Sequence, residues 1–263
     1  MNRFIKISLI IMLVAIASAT SQDSDTKGLR WSKQQGLEYR LKAGFNIGGT
    51  APIPLPVEIR KINKYDPLLQ ISVGVDFLKW FDNEYEGHQF AFMTGIEFES
   101  KGMKTDATVK NYQIKMIAES GGGMSGRWTG NVITEIHNTY ITVPFAGIMK
   151  IDPRWSIKAG GFVSYQLKGH FSGEAYNGYL RDGDPTGPKI VFDGDSKAIY
   201  DFSDDLQSWQ VGGILGGEWR AFEHLSVFAD LSWGFMPIFK KEFTTISFPM
   251  YPIYLNFGFA YIF

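Results

Sequence analysis

This sequence predicts an all-β fold, an eight-stranded antiparallel up-and-down transmembrane β-barrel with two long outer loops. Three observations predict it. Residues 250–263 alternate strictly, placing Tyr251, Ile253, Leu255, Phe257, Phe259, Tyr261 and Phe263 on one face of a strand. An aromatic-rich face of that length suits lipid better than a soluble core. The amino terminus reads as an export signal: Arg3 and Lys6 precede an apolar run over 7–16, and Ala17-Ser18-Ala19 supplies small residues for cleavage. No later stretch offers the ~20 apolar residues of a membrane-crossing helix. A membrane chain without such a helix must close its backbone hydrogen bonds in a barrel.

The predicted organisation is a signal peptide over 1–19, a short polar periplasmic leader over 20–36 and a barrel over 37–263, with the cell outer membrane as the expected location. There is no cysteine, which excludes a lipidated amino terminus and disulfides. The chain carries 26 basic and 27 acidic residues, and loss of Arg3 and Lys6 with the signal peptide leaves 24 against 27. That balance lacks the basic surface nucleic acid requires. Aromatics at 15% and 29 glycines suit a lipid-facing sheet with interfacial belts.

Eight alternating segments follow in order. The first, 37–48, sets Leu37, Tyr39, Leu41, Ala43, Phe45 and Ile47 against Glu38, Arg40, Lys42 and Asn46. The second, 69–80, sets Leu69, Ile71, Val73, Val75 and Phe77 against Gln70, Ser72 and Asp76. The third, 89–100, sets Phe90, Phe92, Ile96 and Phe98 against Met93, Glu97 and Glu99. The fourth, 139–150, carries Ile141, Val143, Phe145 and Met149 on its apolar face. The fifth, 155–168, opposes Ile157, Val163, Tyr165 and Leu167 to Lys158, Ser164, Gln166 and Lys168. The sixth, 209–220, opposes Trp209, Val211, Leu215 and Trp219 to Gln210, Glu218 and Arg220. The seventh, 225–239, opposes Val227, Leu231, Trp233 and Phe235 to Ser226, Asp230 and Ser232, and the terminal segment is the eighth. Each approaches the ~9–11 residues of a tilted membrane strand.

Links after the second, fourth and sixth segments (81–88, 151–154, 221–224) are short, whereas 101–138 and 169–208 are long. Short periplasmic turns and long external loops are the usual outer-membrane pattern. Pro144 and Pro237 each delete a ladder donor, so bulges or strand ends are expected there. Residues 101–117 and 127–138 alternate loosely around Ser120-Gly121-Gly122-Gly123, which predicts a hairpin above the membrane.

Several stretches resemble the PorT-like outer-membrane β-barrel proteins of Bacteroidota. Thr139-Tyr140-Ile141-Thr142-Val143-Pro144-Phe145 is similar to that family's Y-L-x-I-P strand. Lys158-Ala159-Gly160-Gly161-Phe162, Gly212-Gly213-Ile214-Leu215-Gly216-Gly217-Glu218 and Asp230-Leu231-Ser232-Trp233-Gly234-Phe235 extend the likeness over about 39–263. These motifs are structural. The resemblance implies fold and location, and a link to secretion or gliding machinery for some relatives, but transfers no catalytic residue.

The expected inward face carries Glu38, Arg40, Lys42, Asp76, Glu97, Lys158, Glu218, Arg220 and Asp230. These could line a solute path, but a lumen this narrow is just wide enough for its own side chains. A self-neutralising charge network is the expectation, since buried charges must be paired. Phe257, Phe259, Tyr261 and Phe263 are expected to form the lipid face and assembly signal of the closing strand.

Asp182-Gly183-Asp184, Asp193-Gly194-Asp195, Asp201, Asp204 and Asp205 could offer oxygens to calcium, but Asp-Gly pairs are first of all turn signals. His170, Ser172 and Glu174 invite a hydrolase reading on an outer strand end, without the positioned triad such chemistry needs. His88 and His224 read as solvated turn residues. Trp80, Trp155, Trp209, Trp219 and Trp233 lie near strand ends and read as belt anchors, while Trp128, Tyr176 and Tyr179 could stack on carbohydrate.

The expectation is a non-enzymatic, monomeric barrel in outer-membrane lipid, without cofactor or metal, that is structural or meets a protein partner at loops 101–138 and 169–208. The alternatives are a barrel that transports or binds a small ligand, an envelope-lipid-modifying enzyme, and a soluble lipocalin-like barrel with its polarity reversed.

Overall fold

Period-two alternation dominates the chain, and the result is a single antiparallel sheet. A computed structural model describes residues 35–82, 85, 87–118, 123–183 and 185–263. The expected signal peptide, most of the leader, Ser120-Gly121-Gly122 and Asp184 lie outside the described residues. The strands are β1 (Leu37–Pro52), β2 (Ile59–Asp66), β3 (Gln70–Trp80), β4 (Phe90–Ala118), β5 (Gly123–Lys150), β6 (Trp155–Lys168), β7 (Phe171–Asp182), β8 (Lys189–Asp201), β9 (Trp209–Phe222), β10 (Leu225–Gly234) and β11 (Met250–Ile262). A single 3₁₀ turn, Ser203–Asp205, follows β8.

Eleven strands overturn the expected count of eight. β2, β7 and β8 come from stretches read as connections, so the simple up-and-down order is broken twice and the two long loops are largely sheet. Pairing runs β3–β1–β11–β10–β9–β6–β5–β4 and returns to β3, which closes a ring. A second circuit joins β4, β5, β7 and β8, closed by Ile117 opposite Ile199 and Ala118 opposite Ala198. β4 and β5 belong to both circuits. At 29 and 28 residues they run through the ring and on into an outer head.

β2 escaped the pattern for a physical reason. Register shifts at Ile59/Lys61 and Ile62/Lys64 each add one residue. Bulges of that kind convert a spacing of two into a spacing of three, so Ile59, Ile62 and Tyr65 share one face opposite Val109, Ala107 and Thr105. In β7 the step from Tyr176 to Tyr179 covers three residues against two of β5, Asn131 to Thr129, beside Asn177 at φ 47°.

Pro144 marks neither a bulge nor a strand end. Thr94 pairs with Phe145 and Glu97 with Thr142 in one unbroken register, and the ladder merely skips the intervening residues. The seventh expected segment does stop before Pro237: β10 ends at Gly234.

The ring is apolar outside. Ile96, Leu215 and Phe259 are 59%, 63% and 60% exposed. A water-soluble domain does not sustain a continuous apolar girdle. Two aromatic rows bound it. Trp155 faces Trp219 across β6 and β9, and Tyr165 faces Trp209. Ten residues of β6 separate the rows. That is ~33 Å at ~3.3 Å per residue, or ~25 Å of height at a tilt of ~40°, the thickness of a barrel's apolar band. Trp233 also faces outward, but Trp80, expected in the belt, is buried inside with Lys150 Nζ 3.9 Å over its ring.

Candidate functional site

Inward parity on each strand places all nine expected charges in the ring's interior. Lys42 Nζ lies 2.6 Å from Glu97 and 3.4 Å from both Asp76 and Asp230. Lys158 lies 2.6 Å from Asp230. Nearer the short turns, Arg40 pairs with Glu218 and, at 2.6 Å, with Glu38. Glu38 also meets Arg220 at 3.1 Å. Two partners were not singled out: Glu99 holds Lys101 at 2.8 Å and accepts a 2.6 Å hydrogen bond from Thr142. Their signal was the same inward parity, which Glu97, Glu99 and Lys101 share on β4. Five cations thus meet six carboxylates in one interior.

Packing closes the rest of the lumen. Toward the short turns, Leu78, Trp80, Ala91, Met93, Ala146 and Ile148 form an apolar cluster. Toward the head, Lys101 Nζ lies over the rings of Tyr140, Phe162 and Tyr254 at 5.6, 5.4 and 5.7 Å. Two cavities between these layers measure about 20 and 10 Å³. One water needs roughly 10–15 Å³, so such spaces hold isolated waters rather than a column.

The head has its own core. Trp128, Phe171, Leu180, Phe192, Tyr200 and Phe202 are buried between β4, β5, β7 and β8. Residues of the 235–249 link fold over it: Phe239 lies 4.8 Å from Phe171 and 4.5 Å from Phe243, centroid to centroid. Trp128 is therefore no carbohydrate platform, and Tyr176 donates its hydroxyl to Asp106. On the outer surface of the head, the Lys104 ammonium bonded to Glu135 holds that carboxyl below its usual range. The Ser203 hydroxyl does the same for Asp201.

The hydrolase candidates do not assemble. His170 Nε2 lies 2.8 Å from Ser172 Oγ, and its Nδ1 lies 3.4 Å from Ser203 Oγ. Glu174 pairs instead with Lys197, and Asp201 accepts from Ser203. A carboxylate directly orienting the imidazole is the missing part of a triad. Gly183 and Gly194 take φ of 72° and 58°, the geometry of turns. No group of three or more His, Asp or Glu among the described residues could hold a metal. His224 is fixed rather than merely solvated: Nδ1 lies 2.8 Å from the carbonyl oxygen of Ile262, and its ring stacks on Tyr261.

A closed ring with a charged, filled interior and an apolar girdle is the geometry of a protein immersed in lipid. The family model described as outer membrane protein beta-barrel domain matches residues 21–240. The chain belongs to that family. It is an integral outer-membrane β-barrel. No curated protein matches the chain. Among solved structures, this barrel is similar to Ail, the attachment invasion locus protein of Yersinia pestis, in complex with the heparin analogue sucrose octasulfate. The match has 8% identity and a TM-score of 0.32, and covers 86% of this chain and 97% of Ail.

Proposed function

We propose that this barrel is a non-conducting, non-enzymatic monomer that holds a rigid β head outside the outer membrane for a protein partner. The chain is exported by cleavage after Ala19. The observation that carries the reading is the continuity of β4 and β5: the strands that wall a filled lumen also form the head. Nothing hinges between the two parts, so the head is presented at a fixed height and orientation. Its outward face carries Ile117, Val191 and Ile199, each about half exposed or more, with Ile117 directly opposite Ile199. Ile117 and Ile199 form an exposed aliphatic pair on the strand surface, the form of a protein contact, and Val191 lies toward the other end of β8. The resemblance to PorT-like proteins makes secretion machinery of the envelope the natural place for the partner.

The experiment is site-specific photo-crosslinking at Val191 on intact cells. A discrete adduct that disappears in an Ile117→Asp/Ile199→Asp variant, with heat-modifiable barrel retained, supports the reading. Absence of any adduct from this face contradicts it.

A further inference from the structure

Beyond the pair Asn46–Gln70 the barrel wall splits. β1 continues to Pro52 with β11 as its neighbour. β4 instead takes β2 as its neighbour from Lys104 to Val109. β1 and β2 share no ladder among the described residues, so the sheet has a seam. The seam holds a cavity of about 330 Å³ whose walls include Gly49, Ala51, Ile62, Tyr65, Ala107 and Ile253. That volume falls in the range of small-molecule pockets, ~300–1,000 Å³. At Gly49 the overlapping walls approach closely: a Cβ there would stand 2.8 Å from Met103 Sδ and 3.0 Å from the Tyr65 hydroxyl.

Position and charge say what fits. Ile253 pairs with Trp233 on one side and Gly49 on the other. Trp233 faces outward with Phe235 6.2 Å from it, in the outer aromatic belt. The lower rim of the cavity is therefore level with the boundary between acyl chains and headgroups. The link from β1 to β2 offers Ile53, Leu55 and Val57, exposed by 40%, 61% and 77%, beside the opening. Above it, the outward side of β2 carries Arg60, Lys61 and Lys64, all exposed, and none is in an ion pair among the described residues. The nearby acids Glu58, Asp66 and Asp106 equal the three cations in number, and Asp106 bonds Asn63 and Tyr176, but none of the three lies within ion-pair distance of Arg60, Lys61 or Lys64, whose charged ends stay open to an anion. A water-borne apolar ligand would need neither a mouth at lipid level nor a basic brow.

We propose that the seam between β1 and β2 takes one acyl chain of an anionic outer-leaflet lipid, whose headgroup phosphate rests on Arg60, Lys61 and Lys64. The site is separate from the head's protein-contact face. The chain enters sideways from the leaflet, apolar surface leaves water-accessible space, and phosphate replaces solvent around three cations.

The full mature protein is reconstituted in vesicles containing phosphatidylglycerol with a diazirine at the acyl terminus, irradiated and mapped by mass spectrometry. Adducts are expected on Met103, Ala107 or Val109. Ala107→Phe, or Ala51→Phe from the opposite wall should the first not assemble, lowers seam labelling about tenfold, the equivalent of ~1.4 kcal/mol. Phosphatidylcholine carrying the same diazirine labels the seam less, and Arg60→Ser/Lys61→Ser/Lys64→Ser abolishes the difference between the lipids. Labelling confined to lipid-facing residues such as Phe257 and Phe259 overturns the proposal. Seam labelling indifferent to a pocket-filling variant, or equal for the two lipids, overturns it as well.

Discussion

Lys42 Nζ stands 2.6 Å from Glu97 Oε1 across the lumen, and the ammonium is shared with Asp76 and Asp230 at 3.4 Å each. One cation holds three buried carboxylates together. Removing it leaves Glu97 and Asp76 buried without their ion-pair partner, while Asp230 keeps Lys158 at 2.6 Å. Lys42→Met should therefore destabilise the barrel by about 3–5 kcal/mol. Adding Glu97→Gln should recover part of the loss, because one of the stranded charges is then gone. Urea unfolding from lipid vesicles measures both, and a Lys42→Met barrel as stable as the parent would contradict the network's role.

Phe263 is tied to the first strand. Its backbone N–H donates to the Tyr39 carbonyl at 3.1 Å, and its ring meets Tyr261 edge-on at 5.1 Å. It also completes the lipid-facing row with Phe257, Phe259 and Tyr261. Deleting Phe263, or Phe263→Asp, should lower the heat-modifiable fraction recovered in the outer membrane. Unchanged recovery would remove it from assembly.

Trp128 is fully buried in the head, 5.5 Å from Phe192 with its indole N–H donating to the Asn131 carbonyl. Truncation to Ala should cost about 3–5 kcal/mol locally. Protease added to intact cells should then cut the head while the ring keeps its heat-modifiable mobility. Loss of both together would show that head and ring fold as one unit.

Glu135 and Asp201 both have carboxyls held below the usual range, by the Lys104 and Ser203 hydrogen bonds respectively. A depressed carboxyl contributes stability above its unfolded value, and the contribution disappears as pH falls through the folded value. Head protection against proteolysis should stay level from neutral pH to about pH 5 and decline only below the ordinary carboxylate range of ~4. Glu135→Gln should flatten part of that acid limb. The reverse profile, weakening on the alkaline side of neutrality, would sink this assignment.

What was legible in the sequence was whatever strict alternation and parity encode. The closing strand was readable because Tyr251 to Phe263 never miss a beat, and Glu38 through Asp230 could be assigned inward by parity alone. Distances across the lumen were not legible, so Glu99 and Lys101 went unrecognised as partners. β2 was hidden because its bulges turn Ile59, Ile62 and Tyr65 into a spacing of three. β7 and β8 were read as loop because Asp182-Gly183 and Asp193-Gly194 are turn signals; Gly183 does follow the end of β7, in the turn to β8, but Gly194 only bends β8. Trp80 looked like its belt-forming counterparts because residue type carries no direction.

The central claim is that the lumen is shut while the head is displayed. Planar-bilayer recording of the purified mature protein, with insertion verified by protease cleavage of the head from one side, tests it most directly. The account predicts a quiet membrane, because ion pairs and aromatic side chains leave cavities of about 20 and 10 Å³ in the path. Reproducible porin-sized current steps from verified, inserted protein would contradict it.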